Sequence, residues 1–376
     1  MRVGWLAIAG IALSLPGVAL AAPVNTTQLG RQLQEQLSTC MVEKFPSIPK
    51  FALDELQALS MQCMFEVVIL TPEGKVRQDA NDRMAALVKV SGIKIPKPVS
   101  RGQAQVALSR LPGSQVFTIR VQTANQGRPF LLDTGASTSL IEKDLAKQLR
   151  LRGTPIPDRL MTYMVVGEKC TNLNAAVYPL PELAVETASV KGLSGLGLPK
   201  RAIPGQLSGV LGMDFLSNYD VLLDPHIPQL TLLPPSAPTQ QGIPLVGKLG
   251  VMTVQTRLNN QGPYTLALDT GADQVVLSER VAKRLGLNLK TAKPITVTGF
   301  CGSARGKQVQ LDQVAIQSHQ VKQLAAIVLD AGPLDLLGVD GIIGQNFLNR
   351  YRQHWRFGKR DQLGTPAGGS LELSRP

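Results

Sequence analysis

Aromatic residues make up only 4% of this 376-residue chain. That leaves few platforms on which nucleic acid bases could stack, and it obliges the core to be built from Leu, Val, Ile and Ala. Histidine is rarer still, with His226, His319 and His354 isolated from one another. There is no HExxH and no GxSxG, and Gly192-Leu193-Ser194-Gly195 is only a glycine-rich loop. Metalloprotease and serine-hydrolase chemistry therefore lack their parts. The four cysteines, Cys40, Cys63, Cys170 and Cys301, form neither a CxxC nor a Cys/His cluster, so no zinc site is implied. Nothing in the sequence calls for a metal or another cofactor. Beyond the first twenty or so residues no apolar run is long enough to span a bilayer. Basic residues exceed acidic ones for a net charge of +12, yet they form no dense Lys/Arg tract. The sequence points to a solvated basic surface and to no nucleic acid partner, and it leaves contacts with anionic envelope polymers or acidic lipids open.

What is present begins with a leader. Met1-Arg2 is followed by an apolar or small stretch, Val3 to Leu20, that ends in Ala19-Leu20-Ala21. This is the pattern of a signal peptide cut after Ala21 or Ala22. The alternative is an uncut anchor, but Pro16 interrupts the run. Cleavage would remove Arg2 and leave a mature chain of net charge 12 − 1 = +11, exported to the periplasm or secreted, without stable membrane insertion. An even number of cysteines in an exported chain implies two disulfides, with three pairings open.

The mature chain changes texture along its length. In residues 26–92, Leu29, Leu33, Leu37 and Met41 recur every four positions, Leu56, Leu59 and Cys63 mark a second helix, and Glu73 to Val90 reads as a third. Ile93–Val99, with two prolines, reads as a linker. Thereafter short β-like runs are separated by Gly, Pro and Asn.

An internal repeat dominates the rest. Val116 begins VFTIRVQTANQGRPFLLDTGAS and Val251 begins VMTVQTRLNNQGPYTLALDTGAD. Each reads as a strand, an Asn-Gln-Gly turn and an apolar strand entering Asp-Thr-Gly. The two aspartates, Asp133 and Asp269, are 269 − 133 = 136 residues apart. Each is followed by an amphipathic helical stretch, Leu140–Leu149 and Leu277–Leu287, and then by a matching motif, GVLGMDFL from Gly209 and GIIGQNFL from Gly341. A proline-rich join near Ser236–Gln241 separates the halves. The chain thus divides into a leader (1–22), a helical segment (23–98) and two halves (99–238 and 239–376).

Asp-Thr-Gly at the end of a buried strand sets a carboxylate at the edge of a core. Gly135 and Gly271 permit a tight turn that exposes backbone N–H groups to the carboxylate, and the Thr134 and Thr270 hydroxyls can fix that turn. Two such turns related by a repeat can meet across a pseudo-twofold axis. Carboxyls that close cannot both ionise, so the pair holds one proton and can act as general base and general acid together.

These residues carry a family resemblance. Asp133-Thr134-Gly135-Ala136-Ser137 and Asp269-Thr270-Gly271-Ala272-Asp273, with Val210-Leu211-Gly212 and Ile342-Ile343-Gly344 downstream, resemble the retroviral-type (retropepsin-like) aspartic proteases, here as an exported single-chain member covering about residues 104–376. Aspartic proteases are the general example of two carboxyls that share one proton. The resemblance implies a mainly β, bilobal, pseudo-twofold acid-protease-like fold preceded by an α-helical domain. It implies an aspartic endopeptidase in which Asp133 and Asp269 activate water, while Thr134, Gly135, Thr270, Gly271, Gly212 and Gly344 support the loops. A polypeptide would lie extended in the inter-lobe cleft. A non-catalytic peptide-binding or scaffold protein of the envelope using that cleft is the alternative. Pepsin-like enzymes often carry Ser or Thr where this chain has Ala136 and Ala272, so the dyad should protonate more readily and favour weakly acidic pH. The resemblance also implies β-hairpin flaps over the cleft, at Val165–Thr171 with Gly167 and at Val297–Ser303 with Gly299; Tyr163 is a candidate flap aromatic. Cys170 and Cys301 fall at nearly equivalent flap positions, so a Cys170–Cys301 bond across the cleft is one pairing, which leaves Cys40 with Cys63 in the helical segment. The segment itself reads as a pro-segment or a docking module.

Overall fold

A computed structural model describes residues 26–47, 53–92, 97–124, 126–167, 172–300, 302–330 and 332–375. The leader lies outside them. So do Cys170 and Cys301 and therefore their pairing. No helix among the described residues is long and apolar enough to cross a membrane.

The amphipathic stripe of the first segment folds as α1 (Thr26–Lys44), which buries Leu33 and Cys40. A second helix, α2 (Leu53–Met64), runs on into a π-helical turn, Phe65–Ile69. A disulfide joins Cys40 of α1 to Cys63 of α2. The third helix, α3, spans Ala80–Ser91 and starts later than its apolar pattern predicts. Pro72 and Gly74, the latter with φ of 74°, divert the chain into a loop closed by a bridge between Leu70 and Val76. These helices have only a small core of their own, around Cys40, Leu59 and Cys63. Leu33, Phe65, Val68 and Ile69 bury against Leu131, Leu140, Leu160, Met161 and Val210 of the β unit that follows. The linker reading also shifts at its end. Val99 opens a strand, Val99–Arg101, that pairs antiparallel with Ala188–Lys191.

The two halves form the two lobes of a mainly β, pseudo-twofold molecule. In the first lobe the strands Phe117–Thr123 and Gln126–Leu132 form a hairpin, with Ile119 opposite Phe130. The predicted helical stretch after Asp133 starts as a strand, Leu140–Glu142. It turns helical only as α4 (Lys143–Gln148), where the Glu142 carboxylate caps the N–H groups of Asp144 and Leu145. Then come α5 (Asp158–Met164) and α6 (Met213–Leu216). The second lobe repeats the plan: hairpin Val251–Leu258 with Gln261–Leu268, strand Val275–Leu277, and α7 (Glu279–Arg284) capped by the Ser278 hydroxyl. It continues through α8 (Gly332–Leu337) and α9 (Gln345–Leu348). Its long strand Gly302–Ile316 also pairs with Val251–Leu258, with Arg257 opposite Ala315, and so closes that sheet on itself.

Six consecutive strands at one end of a 13-stranded sheet join the lobes. Ala104–Ala107, Gln229–Leu233 and Asp220–Asp224 come from the first half; Arg352–Phe357, Gly368–Ser374 and Ile243–Lys248 come from the second. At the centre of these six, Asp220–Asp224 pairs antiparallel with Arg352–Phe357, and Leu222 faces His354. These two residues stand equally far past Gly209 and Gly341 in their repeats, so the pseudo-twofold axis passes between them. One continuous apolar core runs from Phe117 and Phe130 through Tyr219, Leu223 and Trp355 to Leu268 and Leu371. The scarcity of aromatics shows in it: four of its largest buried side chains are Phe, and most of the rest is aliphatic.

Candidate active site

Each Asp-Thr-Gly lies at the end of a buried hairpin strand, Phe130-Leu131-Leu132 in one lobe and Leu266-Ala267-Leu268 in the other. The downstream motif then passes between the two arms of each loop. Gly209–Leu211 runs parallel to Gln126–Leu132, with Val210 opposite Leu131, and antiparallel to Leu140–Glu142. Gly341–Ile343 does the same between Gln261–Leu268 and Val275–Leu277. The Asp133 N–H donates to Leu211 O (3.1 Å) and the Asp269 N–H to Ile343 O (3.0 Å). Beyond these strands the Met213 N–H bonds Ala136 O and the Gln345 N–H bonds Ala272 O, each at 2.8 Å. Gly212 and Gly344 sit where the chain grazes the Asp loop. A methyl group on Gly212 would come 2.8 Å from Ala136 O, and one on Gly344 would come 2.7 Å from Ala272 O.

The threonines tie the loops to each other. The Thr134 N–H donates to Thr270 Oγ1 and the Thr270 N–H to Thr134 Oγ1, both at 3.0 Å. Each hydroxyl in turn donates to a carbonyl of the opposite lobe, Thr134 to Leu268 O (2.9 Å) and Thr270 to Leu132 O (3.0 Å). Both residues are buried. Four bonds with twofold symmetry thus fix one aspartate against the other.

That juxtaposition is intimate. A methyl on Gly135 would fall onto the Asp269 carboxyl, and one on Gly271 would lie 2.5 Å from Asp133 Cγ. Only glycine leaves each carboxyl the space over the opposing turn. The Asp133 carboxyl accepts from the N–H groups of Gly135 (2.8 Å) and Ala136 (3.1 Å). Asp269 accepts from the Gly271 N–H (2.8 Å), and the two carboxyls hydrogen-bond each other. Burial pushes the Asp133 carboxyl above the ordinary carboxylate range, against the pull of its bonds to Asp269 and the two N–H groups. Asp269 is pushed well above that range, by burial first and then by the negative charge of Asp133. Two carboxyls this close and this buried hold one proton between them, with Asp269 the more strongly raised of the two.

The lobes differ in how they support these loops. In the first lobe Ser139 donates to Asp214 through both N–H (2.9 Å) and Oγ (2.6 Å), and Ser139 Oγ accepts from the Gly212 N–H (3.1 Å). The equivalent pair in the second lobe is Val275 with Asn346, joined at 3.1 Å. Burial pushes the Asp214 carboxyl up to about 6, and its Oδ2 is enclosed without a partner. Nothing in the sequence singles out Asp214 beyond its place after Gly212-Met213.

In the second lobe Lys293–Gly299 and Gly302–Ile316 form the predicted hairpin flap, with Gly299 opposite Gly302. The first-lobe flap expected at Val165–Thr171 is described only as far as Gly167, and α5 leads into it. Pro157 fixes the entry to this helix and Asp158 opens its first turn. The backbone at Asn172 and Asn174 donates to the Asp158 carboxylate. The two flaps meet, because a methyl on Gly299 would land on Val166 O. Gly167 ends the described part of the first flap with φ of 143°. Tyr163 does line the cleft. It is also a strut, since its hydroxyl donates to Gly74 O of the helical segment (2.9 Å) and its ring lies 6.3 Å from that of Phe65.

Above the dyad lies a cavity of about 240 Å³, walled by Leu140, Leu196, Val251, Phe300, Leu336 and Ile342 among others. Its apolar lining is not visible in the sequence, because it is assembled from stretches scattered over both halves, and one of them, α8, has no α-helical counterpart in the first half. Among the described residues no three His, Cys, Asp or Glu side chains cluster as metal ligands would.

Comparison with known proteins matches this architecture. The family model described as "gag-polyprotein putative aspartyl protease" matches residues 119–218 and again 254–350, together more than half of the chain and once per lobe. Among solved structures the chain is similar to a retropepsin-like aspartic protease from Rickettsia conorii. Identity is 22% over 31% of this chain and 83% of that one, with a TM-score of 0.24. No curated protein matches. With one family match on each lobe, and each spanning an Asp-Thr-Gly loop and its downstream motif, the chain belongs to the gag-type, retropepsin-like aspartyl protease family.

Proposed function

We propose that this protein is an aspartic endopeptidase that hydrolyses peptide bonds with water activated by Asp133 and Asp269. The observation that carries this reading is the pair of buried carboxyls, each packed over the other's Asp-Thr-Gly turn, on the floor of an apolar cleft. Asp133, the carboxylate, takes a proton from water as its oxygen attacks the scissile carbonyl. Asp269 gives its proton to the carbonyl oxygen, and a tetrahedral diol results. When the C–N bond breaks, Asp133 returns its proton to the departing amine and Asp269 recovers one from the diol. No covalent intermediate forms, and both carboxyls end in the protonation state in which they began. The backbone N–H groups of Gly135 and Ala136 favour the ionised form of Asp133 against the effect of burial.

The same reading assigns an extended polypeptide to the cleft, with backbone hydrogen bonds to the hairpin flap Lys293–Gly299 and Gly302–Ile316. It takes apolar side chains next to the scissile bond, to match Leu140, Leu196 and Ile342. We also place the mature protein outside the cytoplasm. The leader pattern of residues 1–22 supports this, as does the Cys40–Cys63 disulfide, a bond that persists in oxidising compartments.

The test is cleavage of a peptide library by the purified protein, read by mass spectrometry, beside Asp133→Asn and Asp269→Asn. Cleavage before apolar residues that disappears in both variants is the expected result. Cleavage that survives in either variant, or none by the unaltered protein, would remove the proposal.

A further inference from the structure

A second cavity, of about 680 Å³, opens beside the dyad cleft. The two share Tyr163, Leu334, Leu336 and Leu337 as a common wall. Their chemistry differs sharply. Four cations line the second cavity: Lys75 and Arg77 from the loop before α3, and Lys248 and Arg280 from the second lobe. Asp335 of α8 is the acidic side chain on its wall.

These cations are placed by the fold. The loop that carries Lys75 and Arg77 is held by the Leu70–Val76 bridge, by the Tyr163 hydroxyl on Gly74 O and by the Arg77 Nε donating to Leu70 O (2.7 Å). Lys248 Nζ donates to Gly338 O (2.8 Å), and Arg280 pairs with Asp340 at 2.9 Å. With Arg280 matched by Asp340, the three other cations share the cavity wall with the single carboxylate of Asp335; Glu73, next to Lys75 and Arg77, and Asp330, next to Asp335, lie nearby but do not line it. Burial, and the nearby charge of Asp330, push that Asp335 carboxyl up. An anionic side chain entering this cavity gains from the excess of cations on its wall.

We infer that this basic cavity is a subsite of the protease cleft, built jointly by the helical segment and the second lobe, that takes an acidic side chain of the polypeptide substrate. The inference rests on the proteolytic reading above. An extended chain advances about 3.3 Å per residue. The acidic residue therefore lies beyond the apolar positions that flank the scissile bond, on one side of it only. On this view the helical segment contributes to specificity, and it belongs to the working cleft.

The experiment uses a neutral peptide that the protein cleaves, with Glu or Gln placed at one position at a time along both sides of the cleaved bond. The ratio of kcat/KM for the Glu peptide to its Gln twin should rise to about tenfold at one or two neighbouring positions and fall towards one at high salt. In the double variant Lys75→Glu, Lys248→Glu that ratio should invert. A ratio near or below one at every position, while the neutral peptide is cut, overturns the subsite and leaves proteolysis standing. A Glu preference that persists in the double variant overturns its location. If no peptide is cleaved, the proteolytic reading has failed, and the cavity is still tested by anisotropy of labelled Glu-rich and Gln-rich peptides on Asp133→Asn protein. Tighter Glu binding that depends on Lys75 and Lys248 supports the site, and equal affinity overturns it.

Discussion

Asp214 and Asn346 occupy the same place in their repeats and do the same work, each holding the start of the strand behind its catalytic loop. Only Asp214 titrates. Its carboxyl stands near 6 in the folded protein against about 4 in an unfolded chain. The folded state is thus the better proton binder between those values, and stability falls as pH rises through that window. Below about pH 4 both states are protonated and the cost vanishes. Asp214→Asn should therefore leave stability nearly unchanged in acid and raise it by up to about 3 kcal/mol well above pH 6. Denaturant melts at both pH values check this. The threonines bear on stability differently. Thr134→Val or Thr270→Val removes a hydroxyl that both accepts and donates across the lobes, and leaves a buried N–H and a buried carbonyl unpaired. A loss of about 2 to 4 kcal/mol is expected. Thr→Ser, which keeps the hydroxyl, should cost much less, and denaturation midpoints distinguish the two.

Among the elements, the strands that lead into the aspartates and the later glycine motifs are legible in the sequence because they recur. A repeat fixes alignment, and alignment shows which loops face each other. Helix α5, which leads into the first-lobe flap, carries its own local signal in the start at Pro157-Asp158 and the buried pair Leu160 and Met161. The stretches after the two aspartates read as helical from their first residue. Leu140, Ile141, Val276 and Leu277 are instead strand residues buried on both sides between neighbouring strands, and a fully buried strand loses the alternation that distinguishes it from a helix. The flap helix α5 leans on the helical segment through Tyr163, Phe65 and the Arg159–Glu66 pair. That segment is stapled by Cys40–Cys63 across 23 residues. Loop closure of this length contributes about 3 kcal/mol. Cys40→Ala with Cys63→Ala should lower stability by roughly that amount. Hydrogen exchange in α1, α2 and the first flap should speed up together, whereas faster exchange confined to α1 and α2 would show that the flap does not depend on the staple.

At the scale of the whole molecule, one lobe plan is written twice in a single polypeptide, and the two lobes are fused by strands at one end of the larger sheet. The helical segment departs from twofold symmetry. Its legible features, the apolar stripe and the cysteines, predict helices but no docking site, because the surface it covers is assembled from Leu131, Leu160 and Val210, far away in the chain. Removing the residues before Arg101 would expose that surface. A chain starting there is expected to aggregate or to lose activity, and a soluble, fully active truncation would show that the segment is dispensable for the cleft.

The central claim is that two carboxyls sharing one proton do the chemistry, and the pH dependence of kcat/KM for a cleaved peptide tests it most directly. Activity needs Asp133 ionised and Asp269 protonated, so the profile should be a bell. Its two limbs report the first and second ionisations of the coupled pair. Since burial raises both carboxyls above the ordinary range, the maximum should fall at weakly acidic pH. A strongly acidic maximum, or a bell that persists unchanged in Asp269→Asn, would contradict the account.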